Sequence, residues 1–119
     1  MEAHPAYKPI AGYMKRYPML AGSMFQVHND LMLAQQWEGL EAVELAAAGR
    51  VVFRGRRTKT DDKVQYVVPC SLAESLSLAW FGAVFRELDG VQEVHLGITS
   101  EDSSVVYYKL SRGIVKPPL

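Results

Sequence analysis

Apolar residues recur at Leu20, Met24, Val27, Leu31 and Ala34, at spacings of four, three, four and three. That is the period of one helix face. Pro18 suits a first helical turn, where its missing amide hydrogen costs nothing, so a core-facing helix is predicted from Pro18 to near Trp37–Gly39. Ala42 to Ala48, Arg50 to Arg56 and Lys63 to Pro69 are short segments divided by Gly49 and by Thr58-Lys59-Thr60-Asp61-Asp62, a pattern that predicts an antiparallel meander. Ser71 with Glu74 forms a capping-box pattern, and Leu72, Leu76, Trp80, Ala83 and Phe85 to Leu88 supply a broad apolar helix face that Asp89-Gly90 would stop. Glu93 to Thr99 and Ser104 to Leu110 read as a closing hairpin. The order is helix, three strands, helix, two strands, and it predicts an α/β fold with a mixed or antiparallel sheet of about five strands and two main helices. Pro5, Pro9 and the nearby Pro18 make residues 1–17 an extended N-terminal arm, with 18–119 as one domain.

Composition narrows the function more than the fold. At 119 residues the chain buries about two-thirds of its unfolded surface on folding, enough for a single core. Thirteen basic residues balance thirteen acidic ones, so the overall charge gives no electrostatic footprint of a free-standing nucleic-acid binder, and any RNA contact must be local. Cys70 has no internal disulfide partner, the start lacks a signal-peptide pattern, and the longest apolar run, Leu78 to Phe85, is far too short to span a bilayer. An intracellular setting is expected. No Cys/His metal cluster and no glycine-rich phosphate loop appears in the sequence, so no cofactor is expected.

Two segments are specific enough to suggest a family. Thr99-Ser100-Glu101-Asp102-Ser103-Ser104 is an acidic turn that opens into Val105-Val106-Tyr107-Tyr108-Lys109-Leu110, and Tyr66-Val67-Val68-Pro69 is followed by Ser71 to Ser77. His4-Pro5-Ala6-Tyr7 and a Gly113 to Pro117 tail fall in the same order. Together they resemble the small non-catalytic subunit family (Sen-fifteen) of the eukaryotic tRNA-splicing endonuclease. The resemblance implies a tRNA-endonuclease C-terminal-like domain and a nuclear location. It also implies catalytic and structural endonuclease subunits as partners in a heterotetramer, with precursor tRNA met indirectly or weakly. In that family an acidic loop, here Glu101 and Asp102, inserts into a basic cleft of the opposite dimer. Catalytic relatives use a tyrosine, a histidine and a lysine. At the matching places this chain has Pro69-Cys70-Ser71-Leu72 without histidine and Val91-Gln92-Glu93 without lysine, which implies a subunit that does not cut RNA.

The residues themselves leave three readings open. Strand periodicity sends Tyr107 and Tyr108 to opposite faces, and the apolar set Val105, Val106, Tyr107, Tyr108 and Leu110 predicts a subunit interface, including a homodimer of the isolated chain. An enzyme reading would use His95, Tyr107 or Tyr108, and Lys109 as a metal-independent RNA endonuclease. A third is an unrelated α/β dimerisation module. Against the enzyme reading, His95 is read as a structural strand histidine and Cys70 as a small buried residue, and neither His4 in the arm nor His28 in the first helix sits where the family's acid would be. Arg50, Arg54, Arg56, Arg57, Lys59 and Lys63 cluster around one predicted hairpin, and Arg54, Arg56, Arg57 and Lys59 are the candidates for RNA phosphates.

Overall fold

In a computed structural model, residues 10–58, 60, 63–72, 80–88, 90–102 and 104–111 are described. The chain runs through α1 (Ala11–Arg16), a 3-10 turn (Pro18–Leu20), α2 (Ala21–Asn29), a π-helical turn (Asp30–Ala34), β1 (Glu38–Leu45), β2 (Arg50–Arg56), β3 (Gln65–Ser71), α3 (Phe81–Glu87), β4 (Glu93–Thr99) and β5 (Val105–Ser111). The five strands form one sheet in sequence order. β1, β2 and β3 are an antiparallel meander, β3 and β4 pair in parallel across the segment that carries α3, and β4 and β5 close as an antiparallel hairpin. The sheet is therefore mixed, as the alternation of elements predicts.

Helices on both faces explain the sequence of the central strands. β2 and β3 are buried almost end to end, which is why they read as continuous apolar runs. On the first face, Leu20, Met24, Val27 and Leu31 pack with Val51, Phe53 and Val67. On the second, Val84, Phe85 and Leu88 of α3 and the residue after it pack with Val52, Val68, Cys70, Val94 and Leu96. Each such side chain contributes about 1.5–3 kcal/mol when fully buried. Cys70 is thus a small core residue of β3, in line with its structural reading.

Several sequence expectations shift. Residues 10–16 are not extended: Ala11–Arg16 is helical, Ile10 and Met14 enter the first-face core, and Arg16 Nη1 and Tyr17 Oη meet Glu44 at 2.6 and 2.7 Å. Residues 1–9 lie outside the described part. The predicted first helix closes early through a π turn, in which Gln35 N donates to Asp30 O at 2.9 Å. This wider winding breaks the helical phase, so Ala34 is exposed and does not join the buried stripe. β1 starts and ends earlier than Ala42–Ala48. The Ala46–Gly49 turn takes its place there, with Glu87 of α3 accepting the Ala47 and Ala48 amides at 3.1 and 3.0 Å. Ser71 ends a strand, and its proposed partner Glu74 lies outside the described residues.

Pro69 lies within β3 at a place where it costs no ladder hydrogen bond to β2. The β2–β3 pairs run from Gly55↔Gln65 to Phe53↔Val67 and go no further. Beyond that point the Arg50 side chain bridges the strands, its Nη1 donating to Pro69 O at 3.2 Å while its guanidinium stacks 3.6 Å over the Trp80 ring. A proline is tolerated on this side because the β2–β3 ladder has already ended.

Candidate interaction surfaces

β5 is an edge strand whose two faces differ. Val105 and Tyr107 point to the first face and pack beside the α2 core. The Tyr107 hydroxyl donates to Asp30 Oδ2 at 2.6 Å, and burial followed by the Asp30 carboxylate pushes its pKa far above the ordinary phenol value. Gly97, paired with Tyr107 across the ladder, makes room for this. A Cβ there would stand 3.1 Å from Val27 Cγ2 and 3.2 Å from Tyr107 Cε1. Val106 and Tyr108 face the other way and remain 50% and 54% exposed, while Leu110 packs at the border of the second-face core. Of the five apolar positions expected at an interface, the structure leaves Val106 and Tyr108 available and commits Val105 and Tyr107 to the domain itself.

The edges of the sheet are unequal. β1, the opposite edge, carries Glu38, Glu41 and Glu44 and a register break between Glu38 and Glu41, features that blunt strand addition. β5 carries a single charged side chain, Lys109, over its seven residues.

The acidic turn is an ordered element. Ser100 Oγ, Ser104 Oγ and Ser104 N all donate to Asp102 Oδ1, at 2.5, 2.7 and 3.1 Å, and Ser100 N bonds Ser104 O at 3.1 Å. The Ser100 and Ser104 donors pull the Asp102 carboxyl down to about 2. Asp102 therefore shapes the turn, and Glu101 is left as the outward carboxylate. The turn walls a groove of about 860 Å³ whose other sides include Met19, Gly22, Gln26 and Leu72. Met19 is 93% exposed. Helix periodicity gave no sign of this groove because it joins residues from three separate stretches of chain. At its floor Thr99 Oγ1 donates to Cys70 O at 3.3 Å, so the 2.9 Å contact from Ser23 Oγ is a donation to Thr99.

The basic cluster does not stay together. Arg50 is buried beneath Trp80, Arg54 pairs with Glu41 and also bonds Tyr66, Arg56 is half-buried and Arg57 is exposed. Strand alternation puts Arg54 and Arg56 on the α3 side of β2. Lys59 lies outside the described residues. Lys63 and Lys109 both reach Glu93 Oε1, at 3.1 and 3.3 Å.

His95, Tyr107 and Lys109 do share the first face, with His95 directly opposite Lys109. Burial, then Arg57 and Lys109, lower the His95 pKa and keep the imidazole neutral. Its Nδ1 has no hydrogen-bond partner among the described residues. His28 is buried against Phe53, ring centroids 5.1 Å apart, and His4 lies outside the described part. Among the described residues no three His, Cys, Asp or Glu side chains converge as a metal site.

These features define an α/β domain on a five-stranded mixed sheet, with one guarded edge, one apolar edge that no further strand covers among the described residues, and an ordered acidic turn. A family model described as Sen15 protein matches residues 26–118, and the chain belongs to that family. It is 32% identical over 116 residues to the probable tRNA-splicing endonuclease subunit sen15 of Schizosaccharomyces pombe, covering 81% of each chain. Against the tRNA-splicing endonuclease subunit SEN15 of Eremothecium gossypii it is 34% identical over 109 residues, covering 82% of this chain and 91% of the relative. The mouse subunit Sen15 is 30% identical over 100 residues, 78% of this chain and 59% of its own.

Proposed function

We propose that the chain is a non-catalytic structural subunit of a nuclear tRNA-splicing endonuclease, supporting intron excision from precursor tRNA by pairing through β5 with a catalytic subunit. The observation that carries this reading is the β5 edge, which no further strand covers among the described residues, with Val106 and Tyr108 exposed beside it, on a sheet whose other edge is guarded by three glutamates. Strand addition there would continue the sheet and bury both side chains. Glu101, on the turn braced by Asp102, would dock into a basic cleft elsewhere in the assembly.

Independent cleavage is disfavoured by the state of the three candidate groups. RNA transesterification needs a base for the 2′-hydroxyl, an acid for the leaving oxygen and a cation at the phosphorane. Tyr107 is held protonated against Asp30, Tyr108 lies on the face of the sheet opposite His95, and His95 is partly buried between strands. The test is reconstitution. The purified chain alone should leave a precursor tRNA uncut, and tagged chain should co-purify with endonuclease subunits whose cleavage it supports. Cleavage by the chain alone, abolished by His95→Ala, would overturn the proposal.

A further inference from the structure

The two ends of the sheet carry different chemistry, although the formal charge of the whole chain is zero. The β4–β5 turn presents Glu101 and Asp102. At the opposite end, the strand directions bring together Arg57 just after β2, Lys63 before β3, Glu93 at the start of β4 and Lys109 near the end of β5. There Lys63 and Lys109 both reach Glu93 Oε1. Asp30 is already taken by Tyr107 and by Gln35 Nε2 at 2.8 Å, and Glu38 stands opposite Arg56 in the β1–β2 register. Arg57 is exposed and has no ion-pair partner among the described residues. It also walls a cleft of about 500 Å³ with Gln35, Trp37 and Thr58. The half-buried Trp37 leans over Gly55, where a Cβ would stand 3.4 Å from its Cε3, and donates its indole N–H to Gln35 Oε1 at 3.0 Å.

We propose that this end of the sheet is an RNA-binding rim, in which Arg57 and Lys109 meet phosphates of a single strand and the Trp37 cleft receives a base. The inference rests on the reading of the chain as a tRNA-splicing endonuclease subunit and adds a direct substrate contact that the scaffold role does not require. It also relocates the contact: Arg54, which faces α3 on the other side of the sheet, is not part of it. A cationic track beside an aromatic wall is the combination that single-stranded RNA uses, backbone on one and base on the other. Arg57 serves both because it borders the cleft and acts on His95, the residue paired with Lys109.

The test is binding of a fluorescein-labelled, single-stranded intron-exon junction oligonucleotide to the full chain, measured by anisotropy across a salt series. Removing two single-strand phosphate contacts should lower the log-log salt slope by about 1.4, equivalent to about sevenfold in affinity between roughly 50 and 200 mM salt. That reduction in slope, with weaker binding at low salt, is expected for Arg57→Glu combined with Lys109→Gln, and a smaller one for Arg57→Gln alone, which breaks no ion pair. Lys15→Glu, at an exposed position of α1, is the charge control and should bind as the parent does. The proposal is overturned if the parent fails to bind at low salt, if the folded double variant keeps the parental affinity and slope, or if Lys15→Glu weakens binding equally. It is also overturned if the rim variants lose partner subunits while RNA binding is untouched, because the rim is then a protein interface. Pull-down of endonuclease subunits separates the two readings: intact assembly without rim-dependent RNA binding sinks the rim alone, and rim-dependent binding without assembly sinks the subunit role alone.

Discussion

Tyr107 on the edge strand donates its hydroxyl to Asp30 in the π turn at 2.6 Å, a hydrogen bond that spans 77 positions of sequence. It ties the strand proposed for partner pairing to the helix layer beneath it. Because the phenol pKa is raised in the folded state, the native protein holds this proton more tightly than the unfolded chain does. That stabilisation is complete below the unfolded value of about 10 and declines as pH rises above it. Tyr107→Phe should reduce stability at neutral pH by about 1–3 kcal/mol and flatten the alkaline decline. Urea titrations at neutral and alkaline pH measure both effects, and an equally steep decline in the variant would contradict the assignment.

Gly97→Ala should be destabilising although glycine is ordinarily a poor strand residue. Its new methyl would press on Val27 and Tyr107 at little more than 3 Å, and overpacking of this kind costs about 1–3 kcal/mol. A thermal melt equal to or above that of the parent would show that the two side chains yield freely.

Asp102 and Glu101 should separate in experiment. Asp102→Ala removes the acceptor for three donors and should lower the melting temperature, whereas Glu101→Ala should leave it unchanged and weaken only subunit association. The Asp102 carboxyl falls from 3.8 to about 2 in the fold, so its contribution is complete above the unfolded value and is lost as pH falls through about 2. Melting curves against acid pH, with pull-downs of each single variant, check the split. Unchanged assembly in Glu101→Ala would remove the docking role.

Arg50→Leu should cost about 2–3 kcal/mol, since it removes a charged donor to the Pro69 carbonyl and the platform for Trp80. Arg50→Lys should recover little, because an ammonium cannot stack as a planar guanidinium does while donating sideways. Denaturant midpoints of the two variants decide it, and a near-parental Arg50→Lys would mean that charge alone suffices.

At the open edge, Tyr108→Lys should abolish self-association of the isolated chain and leave folding intact, whereas Tyr107→Lys should impair folding. Sedimentation at high micromolar concentration with circular dichroism distinguishes them. A chain that is monomeric without any substitution would remove the support for pairing through β5.

The features legible in the sequence were those with a local period. The Leu20–Leu31 stripe, the meander, the acidic turn and the opposite orientations of Tyr107 and Tyr108 follow from helix and strand geometry, which a few consecutive residues determine. The helix at Ala11–Arg16 was not legible: it is only six residues long, and so short a helix has no stability until Ile10 and Met14 find the core. Which tyrosine faces inward depended on α2 lying over Gly97. The six clustered cations looked alike in sequence, yet only the fold could bury Arg50 under Trp80, neutralise Arg54 with Glu41 and gather Arg57 with Lys109 at one end of the sheet. Periodicity is a property of neighbours along the chain, whereas burial and charge pairing depend on residues that strand order brings together from dozens of positions away.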